Sequence, residues 1–189
     1  MQCMADVDIK EIIRIQEKAQ CLHTVQDVDQ HIEHVAKKIN RAYQSLNPIV
    51  ICIMTGGVVF CGKLLPLLDF PMQFDYAHAT RYNSGTEGST LTWRMMPASD
   101  LQGRHVLIVD DIYDVGETLS GVIDTCKKLG ALSVKSAVLV NKHHKRKHNS
   151  EFTVDFIALE TSDCYLFGYG MDYKGYLRNA PGIFAVAQD

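Results

Sequence analysis

The sequence has no apolar run long enough to cross a bilayer. A spanning helix needs about 20 such residues, and the longest stretch here lies around Val50 to Met54. No membrane association is expected. It also lacks a charge excess: 22 acidic residues stand against 19 Lys and Arg, a formal net of −3. A dedicated nucleic-acid binder is usually basic, so no nucleic-acid partner is expected. Met1 to Lys10 shows no basic region followed by an apolar run, so no secretory signal is read. The six cysteines, at positions 3, 21, 52, 61, 126 and 164, form no Cys-x-x-Cys pair. Reduced thiols in a cytoplasmic protein are the expectation. No repeat, linker or low-complexity tract divides the chain, and 189 residues suit one domain spanning 1–189.

Hydrophobic spacing outlines the elements. Ile9, Ile12 and Ile13 recur at helical spacing within Asp8 to Gln20. Thr24 is placed to cap a longer helix over Val25 to Tyr43, with Val28, Ile32, Val35 and Ile39 on one face. These helices occupy 1–46. Pro48 precedes a buried strand, Ile49 to Met54, and Gly56-Gly57 turns into a helix over Val58 to Leu68. Phe74 to Tyr82 and Leu91 to Met96 read as strands around a polar, glycine-bearing segment, the lid candidate 81–92. Val106 to Val109, Val134 to Val140, Thr153 to Leu159 and Tyr165 to Tyr169 complete the strands, and Leu119 to Leu129 is a helix stopped at Gly130. Strands alternate with helices, which favours an α/β fold: a mostly parallel twisted sheet flanked by helices, with a small hood from the terminal segments. The sheet core lies in 47–142, and 143–189 carries the remaining core.

The run His105-Val-Leu-Ile-Val-Asp-Asp-Ile-Tyr-Asp-Val-Gly-Glu-Thr118 carries the most chemistry. An apolar strand ends in the acids Asp110 and Asp111. Asp114, Val115, Gly116, Glu117 and Thr118 then lead into a helix. Backbone N–H groups of a tight turn at a helix N-terminus suit a phosphate. Two carboxylates above it suit a ribose diol and a metal. Asp114 as a plain helix cap is the alternative reading of the same residues. Met54-Thr55-Gly56-Gly57 is a second strand-to-helix turn, whose glycines let a backbone approach a pyrophosphate closely. In open α/β sheets ligands bind beyond the strand carboxyl ends, and both turns fall there.

The acidic run resembles the phosphoribosyl pyrophosphate (PRPP) motif of the type I phosphoribosyltransferases: an apolar strand, two acids, two apolar residues, then Asp-Thr-Gly-x-Thr. Val115 stands where that pattern has Thr or Ser. The resemblance implies that Asp110 and Asp111 hold the ribose hydroxyls and a magnesium shell. It implies that residues 115–118 hold the 5′-phosphate and that Asp114 accepts the purine N7 proton. The turn at Thr55 and Gly56 corresponds to a pyrophosphate loop, with a cis peptide implied at Met54–Thr55. Many members carry Lys where Thr55 stands. Arg178 is implied at the leaving pyrophosphate. Leu139-Val-Asn-Lys142 followed by Tyr165-Leu-Phe-Gly-Tyr-Gly-Met-Asp-Tyr173 resembles the 6-oxopurine branch of that family, the hypoxanthine-guanine phosphoribosyltransferases. That match implies Lys142 at the base O6, Tyr165 stacked on the base, and backbone groups of Leu166 and Asp172 at the other edge. Asp172 would also serve the magnesium. Arg81-Tyr82 matches a lid pair, with Arg81 in place of the usual Ser.

The activity so implied is purine salvage: PRPP and a 6-oxopurine base give IMP or GMP and pyrophosphate, with Mg2+ as cofactor and a homodimer or homotetramer as assembly. A non-catalytic nucleotide- or RNA-binding regulator of the same fold stays open, as does a transferase for xanthine or another base. Taken singly, Lys142 is also a solvated lysine at a strand end, Tyr165 a packed aromatic and Asp172 a surface acid. Lys142-His-His-Lys-Arg-Lys-His148 offers an RNA or polyanion patch, but no aromatics interleave it and the net charge is negative, so a solvated basic loop is expected. His31-Ile-Glu-His34 offers two metal ligands at helical spacing, but with no third ligand evident a solvent-facing helix surface is expected.

Overall fold

The computed structural model describes residues 7–82, 90–147 and 152–187. Its elements in chain order are α1 (Ile9–Lys18), β1 (Gln20–Thr24), α2 (Val25–Tyr43), β2 (Ile49–Ile53), α3 (Val58–Leu64), β3 (Gln73–Tyr82), β4 (Thr90–Met95), β5 (His105–Tyr113), α4 (Glu117–Lys128), β6 (Ser133–His143), β7 (Phe156–Ser162), β8 (Leu166–Phe167) and β9 (Gly182–Ala185). Among the described residues a six-stranded sheet has the order β4-β3-β2-β5-β6-β7. Its strands are parallel except for the antiparallel pair β3–β4.

Strand periodicity sorts the core into two layers. Val50, Cys52, Leu107, Val109 and Leu139 face α2 and α3, where Ile32, Val35, Ile39, Phe60 and Leu64 are buried. The alternate residues Ile49, Ile51, Val106, Ile108 and Val138 face α4, which buries Leu119, Val122, Ile123 and Cys126. Each fully buried Ile or Leu contributes about 1.5–3 kcal/mol relative to exposure. Thr24 caps α2 as anticipated: its hydroxyl accepts from the Asp27 N–H, and the Asp27 carboxylate accepts from the Thr24 N–H at 3.0 Å.

The terminal segments form a second, three-stranded antiparallel sheet, order β1-β9-β8. This is the expected hood, with Gln20 opposite Ala185 and Leu166 also opposite Ala185. It docks on the main body partly through Tyr169, whose hydroxyl donates to Asp29 on α2 at 2.7 Å.

Several boundaries differ from the sequence expectation. The first helix stops at Lys18, because the chain at Gln20 to Thr24 has a distant partner in β9. The third helix ends at Leu64, and a 3-10 turn over Leu65–Leu67 carries Pro66, which lacks the donor an α-helix needs. The last parallel strand starts at Phe156 rather than Thr153, and the segment after Tyr165 is a strand only over Leu166–Phe167. Residues 83–89 of the lid candidate lie outside the described residues, as do the side chains of Arg81 and Tyr82.

Candidate active site

β5 runs on to Tyr113, so Asp110 and Asp111 stand within the strand rather than beyond its end. The reason is unequal pairing. On one side β5 stays bonded to β6 as far as Tyr113 opposite Asn141. On the other, its last partner in β2 is Cys52, opposite Val109. Beyond that point the β2 edge is vacated, and the two acids border the gap. Both are buried, and the Asp111 N–H donates to Asp110 Oδ1 at 3.0 Å. Removal from water pushes the Asp110 carboxyl well above the ordinary carboxylate range, and the Asp111 charge adds to the effect. Burial raises Asp111 as well, held back in part by Asp110 and by the charge of Arg178.

Gly56 fits against this pair. A Cβ there would lie 2.0 Å from Asp111 Oδ2, so only glycine permits the approach. The peptide Met54–Thr55 is cis, as the resemblance implied. Opposite, Asp172 Oδ2 accepts from the Gly175 N–H at 2.7 Å, and its Oδ1 pairs with Arg178 at 2.6 Å. A second Arg178 nitrogen donates to the Gly170 carbonyl at 2.5 Å.

The turn after β5 is tight and leads straight into the N-terminus of α4. Gly116 is the N-cap of α4 in the left-handed region, φ 85° and ψ 0°, and a Cβ there would strike the Tyr113 ring. Asp114 is therefore not the cap. Its carboxylate accepts from Lys142 Nζ at 3.0 Å through one oxygen and lies 2.5 Å from His144 Nε2 through the other. Burial pulls the Asp114 pKa upward, but bonding and charge from Lys142 and His144 outweigh it, leaving the carboxyl below the usual range.

The basic segment after β6 is only in part the solvated loop expected: His143, Lys145 and Arg146 are exposed, whereas Lys142, His144 and Lys147 turn inward. A single Arg146 nitrogen, Nη2, donates to both Asp163 carboxylate oxygens, at 2.7 and 2.8 Å. Lys147 Nζ lies 3.5 Å from the Tyr113 ring centroid and donates to the Tyr113 carbonyl at 2.8 Å. The physical reason is the acid turn: Asp114, Asp163 and the Tyr113 ring offer fixed partners to cations that a loop in water would lack.

These residues enclose a cleft of about 660 Å³ whose walls include Thr55, Gly56, Asp110, Asp111, Asp114 to Thr118, Asp172 and Arg178. A smaller cleft of about 210 Å³ shares Asp111, Ile112, Asp114 and Asp172 with it and adds Lys142, Tyr165, Leu166 and Met171. Tyr165 is exposed and meets the Tyr173 ring edge-on at 5.4 Å. The two turns and the segment after Tyr165 anticipated from sequence thus line two neighbouring clefts with shared walls. Sequence reasoning missed His78 and Arg94, which also line the larger cleft. They arrive through the β3–β4 pairing and carry no local signal. It missed His144 too, whose neighbourhood reads simply as basic.

Magnesium takes hard oxygen ligands, and the buried neighbours Asp110 and Asp111 offer carboxylate oxygens of that kind. A nearby cation would offset both the burial and the Asp111 charge that raise Asp110. Asp172 is already bonded to Arg178 and to the Gly175 N–H, and the three-residue group found close enough together to hold an ion, among the described residues, is Asp114, His144 and Asp163.

Comparison with known proteins agrees with this geometry. The chain is 30% identical over 162 residues to the hypoxanthine-guanine-xanthine phosphoribosyltransferase of Tritrichomonas foetus, covering 86% of this chain and 88% of that protein. It is 30% identical over 164 residues to the hypoxanthine-guanine phosphoribosyltransferase of Streptococcus pneumoniae R6, covering 86% and 90%. A solved hypoxanthine-guanine-xanthine phosphoribosyltransferase superimposes with a TM-score of 0.81 at 28% identity, covering 89% of this chain and 97% of that one. A Staphylococcus aureus hypoxanthine phosphoribosyltransferase reaches 0.83 at 23% identity, a likeness of fold. With residues 20–174 matching the phosphoribosyl transferase domain, this chain belongs to that family.

Proposed function

We propose that this protein is a purine-salvage enzyme that transfers the 5-phosphoribosyl group from PRPP to hypoxanthine or guanine, giving IMP or GMP and pyrophosphate. One observation carries the proposal. The acid pair and the left-handed glycine turn share a cleft with a smaller one walled by Lys142 and Tyr165, so a sugar phosphate and a flat base would meet at Asp114. The relatives' names point to the same substrates.

In this reading the α4 N-terminus and Thr118 bind the 5′-phosphate, with Val115 and Glu117 in the same turn. Asp110 and Asp111 orient the ribose hydroxyls. Thr55, Gly56 and Arg178 bind the departing pyrophosphate. Magnesium, held by Asp110, Asp111 and Asp172, would supply charge neutralisation for that leaving group. Tyr165 stacks on the base, Lys142 donates to its O6, and backbone groups of Leu166 and Asp172 meet the far edge. Asp114 takes the N7 proton as the glycosidic bond forms. Catalysis of this kind relies on held geometry and charge stabilisation.

Among the described residues no helix is long and apolar enough to cross a membrane. We place the reaction in the cytoplasm, in keeping with the free thiols of Cys21, Cys52, Cys61, Cys126 and Cys164. A homodimer or homotetramer would cover Phe74, Tyr76 and Met95, which are exposed on the β3–β4 side.

The test is a base panel with PRPP and magnesium: hypoxanthine, guanine, xanthine, adenine and uracil. Nucleotide and pyrophosphate should form with the first two and hardly with adenine, whose 6-amino donor offers Lys142 no acceptor to leave Asp114 for. Comparable use of adenine would refute the base assignment. PRPP binding without turnover on any base would leave a regulator.

A further inference from the structure

The geometry assigns His144 as a positioning residue that holds the Asp114 carboxylate in its reactive orientation while Lys142 turns to the base. This rests on Asp114 being the proton acceptor.

The His144 side chain is 5% exposed and its Nε2 lies 2.5 Å from Asp114 Oδ1. Its other ring nitrogen, Nδ1, accepts the backbone N–H of Arg146 at 3.0 Å. A nitrogen that accepts from an amide carries a lone pair, so the ring proton sits on Nε2 and points at Asp114. The main chain thereby selects the donating tautomer.

Lys142 binds the other oxygen, Oδ2, at 3.0 Å. The two donors have different fates. Lys142 forms part of the smaller cleft's wall, where a 6-oxo group would draw it away. His144 reaches Asp114 from the segment that follows β6 and can stay. When Lys142 leaves, Oδ2 becomes available to take the base proton, while Oδ1 stays fixed. Without His144 the carboxylate would turn freely, because the aspartate χ2 torsion is broad. The proton passes from the base nitrogen to Asp114 Oδ2, and His144 keeps its own.

Among the described residues, the charged groups facing Asp114 are Lys142, His144, Arg146 at 4.0 Å, Lys147 and the Asp163 carboxylate, which lies within 4.8 Å of Asp114 and His144 and pairs with Arg146. Of the two direct donors, His144 is the one outside the base contact. Removing a donor to the charged form raises a carboxyl pKa. Loss of His144 therefore moves the acidic limb of the rate profile to higher pH.

The experiment compares wild type, H144A, H144M, H144Q and D114N with PRPP, magnesium and hypoxanthine. H144M keeps side-chain volume but has no donor; H144Q keeps an amide donor of similar reach. In H144A and H144M, kcat should fall about 10- to 100-fold, the scale of a small misplacement, with the PRPP KM within about twofold. Their acidic limbs should shift upward in pH, and H144Q should recover kcat to within about threefold. Should H144A fail to fold, judged by its melting curve, H144M against H144Q carries the comparison. Wild-type kcat and an unmoved limb in H144M would overturn the assignment, as would H144Q no better than H144M. An unimpaired D114N would remove Asp114 as proton acceptor and this role with it. An impaired D114N beside an unaffected H144M would remove the role of His144 alone.

Discussion

At the scale of single residues, Asp114 carries the heaviest demand. It must be charged to accept a proton, yet Lys142 and His144 stabilise its charged form and make it a weak base until the lysine moves. Asp114→Asn keeps the shape but turns one of the two accepting oxygens into an amide donor and loses the proton site. Turnover is expected to drop about 10²–10⁴-fold, the usual loss for a general base. PRPP affinity, measured by calorimetry, should persist, because Gly116 to Thr118 and the acid pair are untouched. Turnover near wild type would dismiss it. Gly56 makes the converse demand, for the absence of a side chain. Gly56→Ala would set a methyl 2.0 Å from Asp111 Oδ2. Overpacking of this kind costs about 1–3 kcal/mol. If the turn takes it up, PRPP affinity weakens about tenfold or more. Equal PRPP affinity in the variant would show that the turn can yield without consequence.

At the scale of elements, the site depends on strands of unequal reach. β5 continues past its β2 partner while β6 follows it, and that offset turns an ordinary apolar strand into one whose last residues border a cleft. α4 then starts from a left-handed glycine, which points its first turn at the same cleft. The N-terminal helix α2 contributes to stability at a distance from the cleft walls. Its capping box joins Thr24 and Asp27. Thr24→Ala should lower stability by about 1 kcal/mol. For a chain of this size that is a melting temperature about 2–4 °C lower. Catalysis at 25 °C should be unchanged; a drop in kcat would mean that α2 positions the hood more closely than its contacts suggest.

At the scale of the whole molecule, stability is tied to pH through Asp114. Its folded pKa lies below the ordinary value. Such a group stabilises the fold fully above its unfolded pKa, about 3.9, and the benefit fades as pH falls through the lower folded value. Wild type should therefore melt above Asp114→Asn at pH 7, and the two curves should converge below about pH 4. A difference independent of pH would mean that the variant acts through packing instead of charge. Exposure of about a third of the Asp114 side chain keeps the effect modest.

The sequence by itself determined the local pieces. The apolar strand with Asp110 and Asp111, the glycine turn to Thr118, the Thr24 cap and the paired glycines at 56 and 57 are short-range signals whose chemistry needs only neighbouring residues. Alternation of strands and helices determined the parallel sheet for the same reason, since each βα unit is local. The hood was legible only in outline, because β1 and β9 are paired across about the whole chain and neither is long enough to announce itself. His78 and Arg94 reach the cleft through strand pairing that no local pattern encodes. The basic segment Lys142 to Lys147 reads in sequence as charge seeking water. Only tertiary structure brought it against Asp114, Asp163 and the Tyr113 ring, because partners far apart in the chain become neighbours once β5, β6 and β7 lie side by side.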